Sequence, residues 1–234
     1  MEVIILAGGR GTRLLPYTTV IPKPIVPVGD KAIMEIVIRQ LAAYGVKRII
    51  VAVNHLANLI MAYFGHGERF GVHIDYSLED QPLGTIGPLK LIENLPKQFL
   101  VMNGDILTNL NFKEFFNKHK KSKAIATIAI YRRNVKIDFG VLNYNSETGK
   151  IYSFDEKPNH HYCVSMGVYA FSKNIMKYVP KKKPYGFDQL MSDMIAKKED
   201  VRAYPFSGYW LDIGRPDDYE KANREYPLLN STFL

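Results

Sequence analysis

An uninterrupted apolar run, Val3-Ile4-Ile5-Leu6, leads straight into Ala7-Gly8-Gly9-Arg10-Gly11-Thr12-Arg13-Leu14. The run reads as a buried first strand. The glycines after it let the backbone turn tightly and bring its N–H groups close to a ligand. Arg13 and Lys23, the latter within Pro22-Lys23-Pro24, bracket this loop with fixed positive charge. A glycine-rich turn between two cations, at the end of a strand, suits a polyphosphate. Two common nucleotide motifs are excluded. A dinucleotide fingerprint needs a third glycine where Leu14 stands, and a Walker loop needs Gly-Lys-Ser/Thr where the chain has Gly11-Thr12-Arg13.

Strands and helices then alternate. The periodicity predicts a helix over residues 31–44, with Ile33, Ile36, Val37, Leu41 and Tyr44 on one face and Gly45 ending it. A second buried strand covers Arg48–Val53, and residues 56–64 read as a helix with Leu56, Leu59, Ile60 and Phe64 inward. His73–Tyr76 is a third strand, residues 86–93 a helix and Phe99–Met102 a fourth strand. This rhythm implies right-handed βαβ units. The expected fold is a Rossmann-like, mixed but mostly parallel α/β sheet flanked by helices, in a single domain. Ligands in such sheets sit beyond the carboxyl ends of the strands. Later, Ile125–Tyr131, Gly140–Tyr144, Ile151–Asp155 and Val164–Phe171 read as strands with little helix between them, and residues 145–149 as a hairpin turn. They suggest a mixed extension of the sheet over a second ligand. Helices are expected again at 187–197 and 216–225, and residues 227–234 as a surface tail. The expected domain is 1–226, with a ligand-binding half at 1–110 and a second at 111–226.

The 234 residues, 47% hydrophobic and 23% charged, supply enough apolar mass for one sizeable core. The net charge of +8 suits polyanionic ligands. Its basic residues are scattered, and the lysines at 118–123 and 181–183 read as solvated surface. No nucleic-acid signature is found. One cysteine, Cys163, allows no intrachain disulfide and fits a reducing compartment. The N-terminus lacks a basic region, and no run is long enough to span a bilayer, so a soluble cytoplasmic protein is expected.

Several residues carry chemistry. Asp105, in Asn103-Gly104-Asp105, follows the fourth strand directly, and Asp212 ends Tyr209-Trp210-Leu211-Asp212. Mg²⁺ is commonly bound by one or two carboxylates plus substrate phosphates, which matches this pair. Asp217 and Asp218 follow Pro216 and read as helix N-terminal acids. Glu79 precedes Pro82-Leu83-Gly84-Thr85, where Gly84 lets a flat ligand approach the backbone. A carboxylate there could accept the two adjacent donors of guanine, a hint towards GTP. In Glu156-Lys157-Pro158, the Lys is a candidate for a second phosphate and the Glu for sugar hydroxyls. The histidines show no metal-ligand spacing, and no Ser or Cys sits in a nucleophile elbow.

Together these residues resemble the sugar-1-phosphate nucleotidylyltransferases. The pattern Gly-Gly-x-Gly-Thr-Arg-Leu-x-Pro, then Pro-Lys-Pro, stands at residues 8–16 and 22–24, and the match continues through Phe139-Gly140-Val141 and residues 210–214. Glu79-x-x-Pro82-Leu83-Gly84-Thr85-x-Gly87-Pro88-Leu89 is most similar to the mannose-1-phosphate guanylyltransferase branch. Thymidylyl-, uridylyl- and cytidylyltransferases acting on glucose 1-phosphate are close cousins and stay open as alternatives, as does a heptose 1-phosphate as the sugar. The resemblance implies the nucleotide-diphospho-sugar transferase fold. It implies condensation of an NTP with a sugar 1-phosphate, Mg²⁺ on Asp105 and Asp212, and Arg13 and Lys23 on the phosphates. The nucleotide would be bound by Leu6, Gly8, Gly9, Gly11, Thr12, Glu79, Pro82, Gly84, Thr85, Asn103 and Gly104. The sugar phosphate would be bound by Gly140, Glu156, Lys157, Ser165 and Gly167. No nucleic-acid or membrane partner is implied, and a homo-oligomer stays open. Two departures stand out. Ser165-Met166-Gly167 replaces the Asn-Ala-Gly often found in the family, and no C-terminal left-handed β-helix is expected within these residues.

Overall fold

Residues 1–233 are described by a computed structural model, with side chains through Leu228. Its first half follows the expected alternation. Strand β1 (Glu2–Leu6) leads through the glycine-rich loop to a short hairpin, β2 (Pro27–Val28) and β3 (Lys31–Ala32), and then to helix α1 (Ile33–Ala43). Next come β4 (Arg48–Val53), α2 (Ala57–Phe64), β5 (His73–Leu78), β6 (Gln98–Asn103) and β7 (Ile106–Thr108). The second half runs α3 (Phe112–Ser122), β8 (Ala126–Lys136), β9 (Val141–Tyr144), β10 (Ile151–Asp155) and β11 (Asn159–Ser172). It continues with α4 (Phe187–Ala196), β12 (Val201–Phe206), β13 (Trp210–Asp212) and α5 (Pro216–Phe233).

Seven strands form the main sheet in the order β12-β8-β11-β6-β1-β4-β5. β5, β4, β1 and β6 are mutually parallel, β11 runs antiparallel to both of its neighbours, and β12 is parallel to β8. Register aligns Leu6 with Ala52 and Asn103, and Val53 with Leu78. The carboxyl ends of four strands therefore share one edge, as parallel sheets require of a ligand site.

β1 explains the uninterrupted apolar run. Val3 and Ile5 pack into the core on the α1–α2–α3 side, while Ile4 packs into the core on the α4 side. A strand covered on both faces has no polar face to spare. A third apolar cluster lies under the glycine-rich loop. Leu14, Val26, Val28, Ile33, Leu107, Leu211, Ile213 and Tyr226 join the loop, the β2–β3 hairpin, α1, the β7–β13 ribbon and α5.

Some expectations are corrected. Leu59 is 43% exposed, and Ala57, Ile60 and Phe64 form the buried face of α2. The helix expected at 86–93 is a single 3-10 stretch, Gly87–Leu91, opened by Gly87-Pro88. Helix α3 was not anticipated. Its signal is present: the Asn111 side chain accepts the Glu114 N–H, and Phe112, Phe115, Phe116 and His119 line one buried face. The density of lysines at 118–123 hides that stripe in the sequence. Helix α5 continues to Phe233, through the segment read as a tail, with Pro227 inside it. Leu234 lies outside the described residues. Among the described residues no helix is long and apolar enough to cross a membrane.

Candidate functional site

Arg13, Lys23, Asp105 and Asp212 each sit beside a buried apolar anchor, which fixes where it points. Arg13 precedes Leu14, which is fully buried, and Lys23 opens a 3-10 turn whose Pro24 is buried. Asp105 precedes buried Ile106, and Asp212 lies between buried Leu211 and Ile213. The β7–β13 ribbon then brings the two acids together. Asp212 pairs with Ile106, and the Ile213 N–H donates to the Asp105 carbonyl at 3.1 Å.

The result is a cavity of about 280 Å³ at the ends of β1 and β6, lined by Gly9, Gly11, Thr12, Arg13, Lys23, Asn103, Gly104 and Asp105, with Leu6 and Gly214. The Lys23 ammonium forms an ion pair with Asp105 through Oδ2. Oδ1 of Asp105 and Oδ1 of Asp212 are both buried without a hydrogen-bond partner. Burial, then repulsion by Asp105, raises the Asp212 pKa, while Lys23 and Arg13 pull it down. Two buried, unsatisfied carboxylate oxygens beside one another are costly unless a cation answers them. The oxygen chemistry fits a hard divalent cation. Among the described residues no group of three or more His, Cys, Asp or Glu could hold a metal, so further ligands would have to come from phosphate or water.

An adjoining cavity of about 360 Å³ is lined by Leu6, Gly8, Gly9, Glu79, Pro82, Gly84, Thr85 and Asn103. Glu79 is not a solvated loop acid: it is only 7% exposed. Its Oε2 accepts the Leu83 N–H at 2.9 Å, and its own carbonyl accepts from Asn54 Nδ2 at 2.8 Å. Burial raises its pKa, against the opposing Leu83 hydrogen bond. A Cβ on Gly8 would stand 2.7 Å from Glu79 Oε1, so the glycine makes room for that carboxylate. Gly84 adopts φ +78, and a Cβ there would lie 2.9 Å from the Tyr185 carbonyl oxygen.

The residues expected to hold the sugar phosphate are not gathered in the same way. Gly140, Glu156 and Lys157 are exposed on the β9–β10 side of the molecule. There, a Cβ on Gly140 would meet the Phe154 ring at 2.5 Å and Glu156 Oε2 at 3.2 Å. Ser165 and Gly167 lie in a bulge of β11, where pairing with β8 shifts between Ser165 and Tyr169. The Gly167 N–H donates to Ser165 Oγ at 3.3 Å, and a Cβ on Gly167 would stand 2.6 Å from the Asn103 amide nitrogen. Gly167 thus packs beneath the first cavity without lining it. None of these five residues lines the cavities at the strand ends.

A third, larger cavity of about 790 Å³ does border Asp212 and Arg13. Its walls are Tyr131, Arg133, Val135, Trp210, Arg215, Asp217, Asp218 and Lys221. Asp217 and Asp218 also occupy the first turn of α5, as expected. Arg133 was missed because the sequence reading ended its strand at Tyr131. The signal is the alternation Tyr131, Arg133, Val135, which continues the strand on one face.

Comparison with known proteins agrees with this geometry. The nucleotidyl transferase family model matches residues 2–227. A mannose-1-phosphate guanyltransferase of Yarrowia lipolytica is 34% identical over 226 residues, covering 94% of this chain and 62% of that protein. The mannose-1-phosphate guanylyltransferase catalytic subunit beta of Dictyostelium discoideum is 33% identical, with coverage of 94% and 62%. The chain thus spans less than two thirds of the length of these relatives. Among solved structures, HddC from Yersinia pseudotuberculosis superposes with a TM-score of 0.74 at 28% identity, covering 96% of this chain and 99% of that one. The same protein complexed with GMP-PN gives 0.72 at 29% identity.

Proposed function

The chain belongs to the nucleotidyl transferase family, and from that premise we propose that it condenses GTP with a sugar 1-phosphate, mannose 1-phosphate or a related heptose 1-phosphate, to give an NDP-sugar and pyrophosphate. One observation carries the reading. Arg13, Lys23, Asp105 and Asp212 converge on the glycine-rich loop at the ends of β1 and β6, with two carboxylate oxygens left unsatisfied. The guanylyltransferase names of the relatives and the GMP-PN complex of the structural neighbour support a guanine nucleotide and a mannose-type sugar.

In this reading residues 1–110 bind the nucleotide and residues 111–226 the sugar phosphate. A sugar-phosphate oxygen bonds to the α-phosphorus of the NTP, the bond from that phosphorus to the α,β-bridging oxygen breaks, and pyrophosphate departs. No general base is required, because a phosphate monoester with a second pKa of about 6 is largely dianionic at neutral pH. The barrier lies in bringing two anions together, so the residues act by position and countercharge. Arg13 steadies the triphosphate and the leaving pyrophosphate, and Lys23 neutralises the phosphates from the Asp105 side. Asp105 and Asp212 would hold Mg²⁺, which would supply countercharge to the phosphates. Gly8, Gly9 and Gly84 let the backbone close on the nucleotide, and Glu79 faces its base. A cytoplasmic setting accords with the single cysteine, Cys163.

The test crosses each NTP with mannose, glucose and heptose 1-phosphates in Mg²⁺ and measures pyrophosphate. The expected outcome is fastest release with GTP and a mannose-type sugar phosphate. Preference for UTP or dTTP with glucose 1-phosphate would overturn the choice of base and sugar. Absence of release from every pair would overturn the reaction.

A further inference from the structure

We infer that Tyr185, held by Asp193 of α4, is a positioning residue for the nucleotide: its backbone sets the shape of the loop at residues 82–88, which walls the cavity beside Glu79. This rests on the nucleotide site proposed above and deepens it. Neither Tyr185 nor Asp193 lines any of the three cavities, so both would act through the loop.

Pro82, Gly84 and Thr85 of the loop line the cavity of about 360 Å³ together with Glu79. Three backbone hydrogen bonds tie the loop to Tyr185. The Tyr185 N–H donates to the Leu83 carbonyl at 2.8 Å, and the Tyr185 carbonyl accepts from the Ile86 and Gly87 N–H groups at 2.9 and 3.0 Å. The Leu83 N–H in turn donates to Glu79 Oε2 at 2.9 Å. Leu83 is therefore held on one side by the carboxylate assigned to the base and on the other by Tyr185. The approach is close: a Cβ on Gly84 would lie 2.9 Å from the Tyr185 carbonyl oxygen, and one on Gly87 would lie 3.3 Å from the Lys183 carbonyl oxygen. Between the tied residues, the Gly84 and Thr85 N–H groups have no partner among the described residues. A loop tied on both sides of an open centre keeps a fixed geometry for its ligand.

Tyr185 needs an anchor, because the chain around it supplies none. Residues 180–186 form neither helix nor strand, and Lys181, Lys182 and Lys183 are exposed. Tyr185 itself is buried in the α4-side core, and its hydroxyl donates to Asp193 Oδ2. Burial, then Asp193, raises the Tyr185 pKa, so the phenol keeps its proton and donates. A hydrogen bond to a carboxylate is of the stronger kind. Helix α4 is fixed in its turn: Leu190 and Met194 are fully buried, and Phe187 stacks on Tyr169 of β11 with centroids 4.3 Å apart. The hydroxyl thus ties Tyr185 to a helix packed on the main sheet, and the Tyr185 backbone passes that position to the loop.

The experiment uses the full chain with Mg²⁺ and GTP, or UTP if the wild type binds it more tightly, without sugar phosphate. Binding is measured by titration calorimetry. Tyr185→Phe keeps the ring and removes the hydroxyl, and Asp193→Ala removes its acceptor. Each should weaken nucleotide binding about fivefold, within the worth of one hydrogen bond to a charged group. The double variant should bind no more weakly than either single variant, because both changes remove the same contact. Asp193→Asn, which keeps an acceptor oxygen, should fall between wild type and Asp193→Ala, and it serves if Tyr185→Phe does not fold. Tyr178→Phe is the control: that hydroxyl donates to Glu199 Oε1 at 2.7 Å against the same core, and Tyr178 has no hydrogen bond to the loop. It should leave nucleotide binding within about twofold. Where turnover is available, the KM for the NTP should rise in the Tyr185 and Asp193 variants while kcat and the KM for the sugar 1-phosphate stay within about twofold. General loosening of the fold would not give that split. Four results overturn the inference: no nucleotide binding by the wild type, wild-type binding by the Tyr185 and Asp193 variants, additive losses in the double variant, or an equal loss in Tyr178→Phe. Turnover with an unchanged KM for the NTP in the variants sinks the positioning role alone. Tyr185-dependent nucleotide binding without turnover sinks the reaction alone.

Discussion

Strand β8 contains two environments in eleven residues. Its first four, Ala126 to Ala129, are buried, while Arg132 to Lys136 are exposed. The buried end belongs to a sheet covered by α3 on one face and by the α4-side core on the other. The exposed end projects past the sheet and pairs with β11. The same division separates the two groups of candidate residues. Those at the ends of β1, β4, β5 and β6 converge, because each follows a buried strand or precedes a buried anchor. Those around the β9–β10 hairpin lie on a surface that also exposes Phe139, Leu142, Tyr152 and Phe154. Position is enforced by burial in the first group and is not in the second.

The largest contrast should appear in stability. Phe115→Ala empties a fully buried site on α3 and should cost about 3–5 kcal/mol. Phe139→Ala, at a residue 78% exposed, should stay within about 0.5 kcal/mol. Urea unfolding of both variants checks the pair. Equal losses would erase the distinction between anchored sheet and exposed arm.

Acid should act on the anchored end next. His119 of α3 is fully buried against Thr127 of β8, with Nδ1 and Oγ1 at 2.8 Å, and burial lowers its pKa to about 4. The unfolded chain takes up a proton near pH 6.5, while the folded chain resists until about pH 4. Stability from this residue is therefore complete above about pH 6.5 and is lost as pH falls towards 4, by on the order of 3 kcal/mol. His119→Gln should flatten that part of the pH–stability curve. An unchanged slope would mean that other groups set it.

A smaller effect is expected on the exposed side. Lys157→Met should raise the KM for the sugar 1-phosphate by only a few-fold, as befits an exposed cation in water, and by more than the KM for the NTP. The reverse ordering would remove Lys157 from the sugar side altogether.

The parallel half of the fold was legible because its signals are local. A continuous apolar run means burial on both faces, and a glycine-rich turn after it means a strand end. Lys23, Asp105 and Asp212 could be named for the same reason, since each stands next to a strand or tight turn. What the sequence did not expose depends on distant pairing. Helix α3 was masked by its lysines, although Asn111, Glu114 and the Phe112–Phe115–Phe116 stripe encode it. Arg133 reaches its cleft only because β8 extends beyond Tyr131 and is held there by Trp210, 79 residues later. No local pattern reports that contact.

The central claim is that Asp105 and Asp212 provide the anionic seat around which two phosphates are brought together. Its most direct test is pyrophosphate release at saturating NTP and sugar 1-phosphate, followed across a Mg²⁺ titration in the wild type and in Asp105→Asn. The expected result is a fall in kcat of about 10²-fold or more in the variant that added Mg²⁺ does not restore. Wild-type rates in Asp105→Asn at every Mg²⁺ concentration would contradict it.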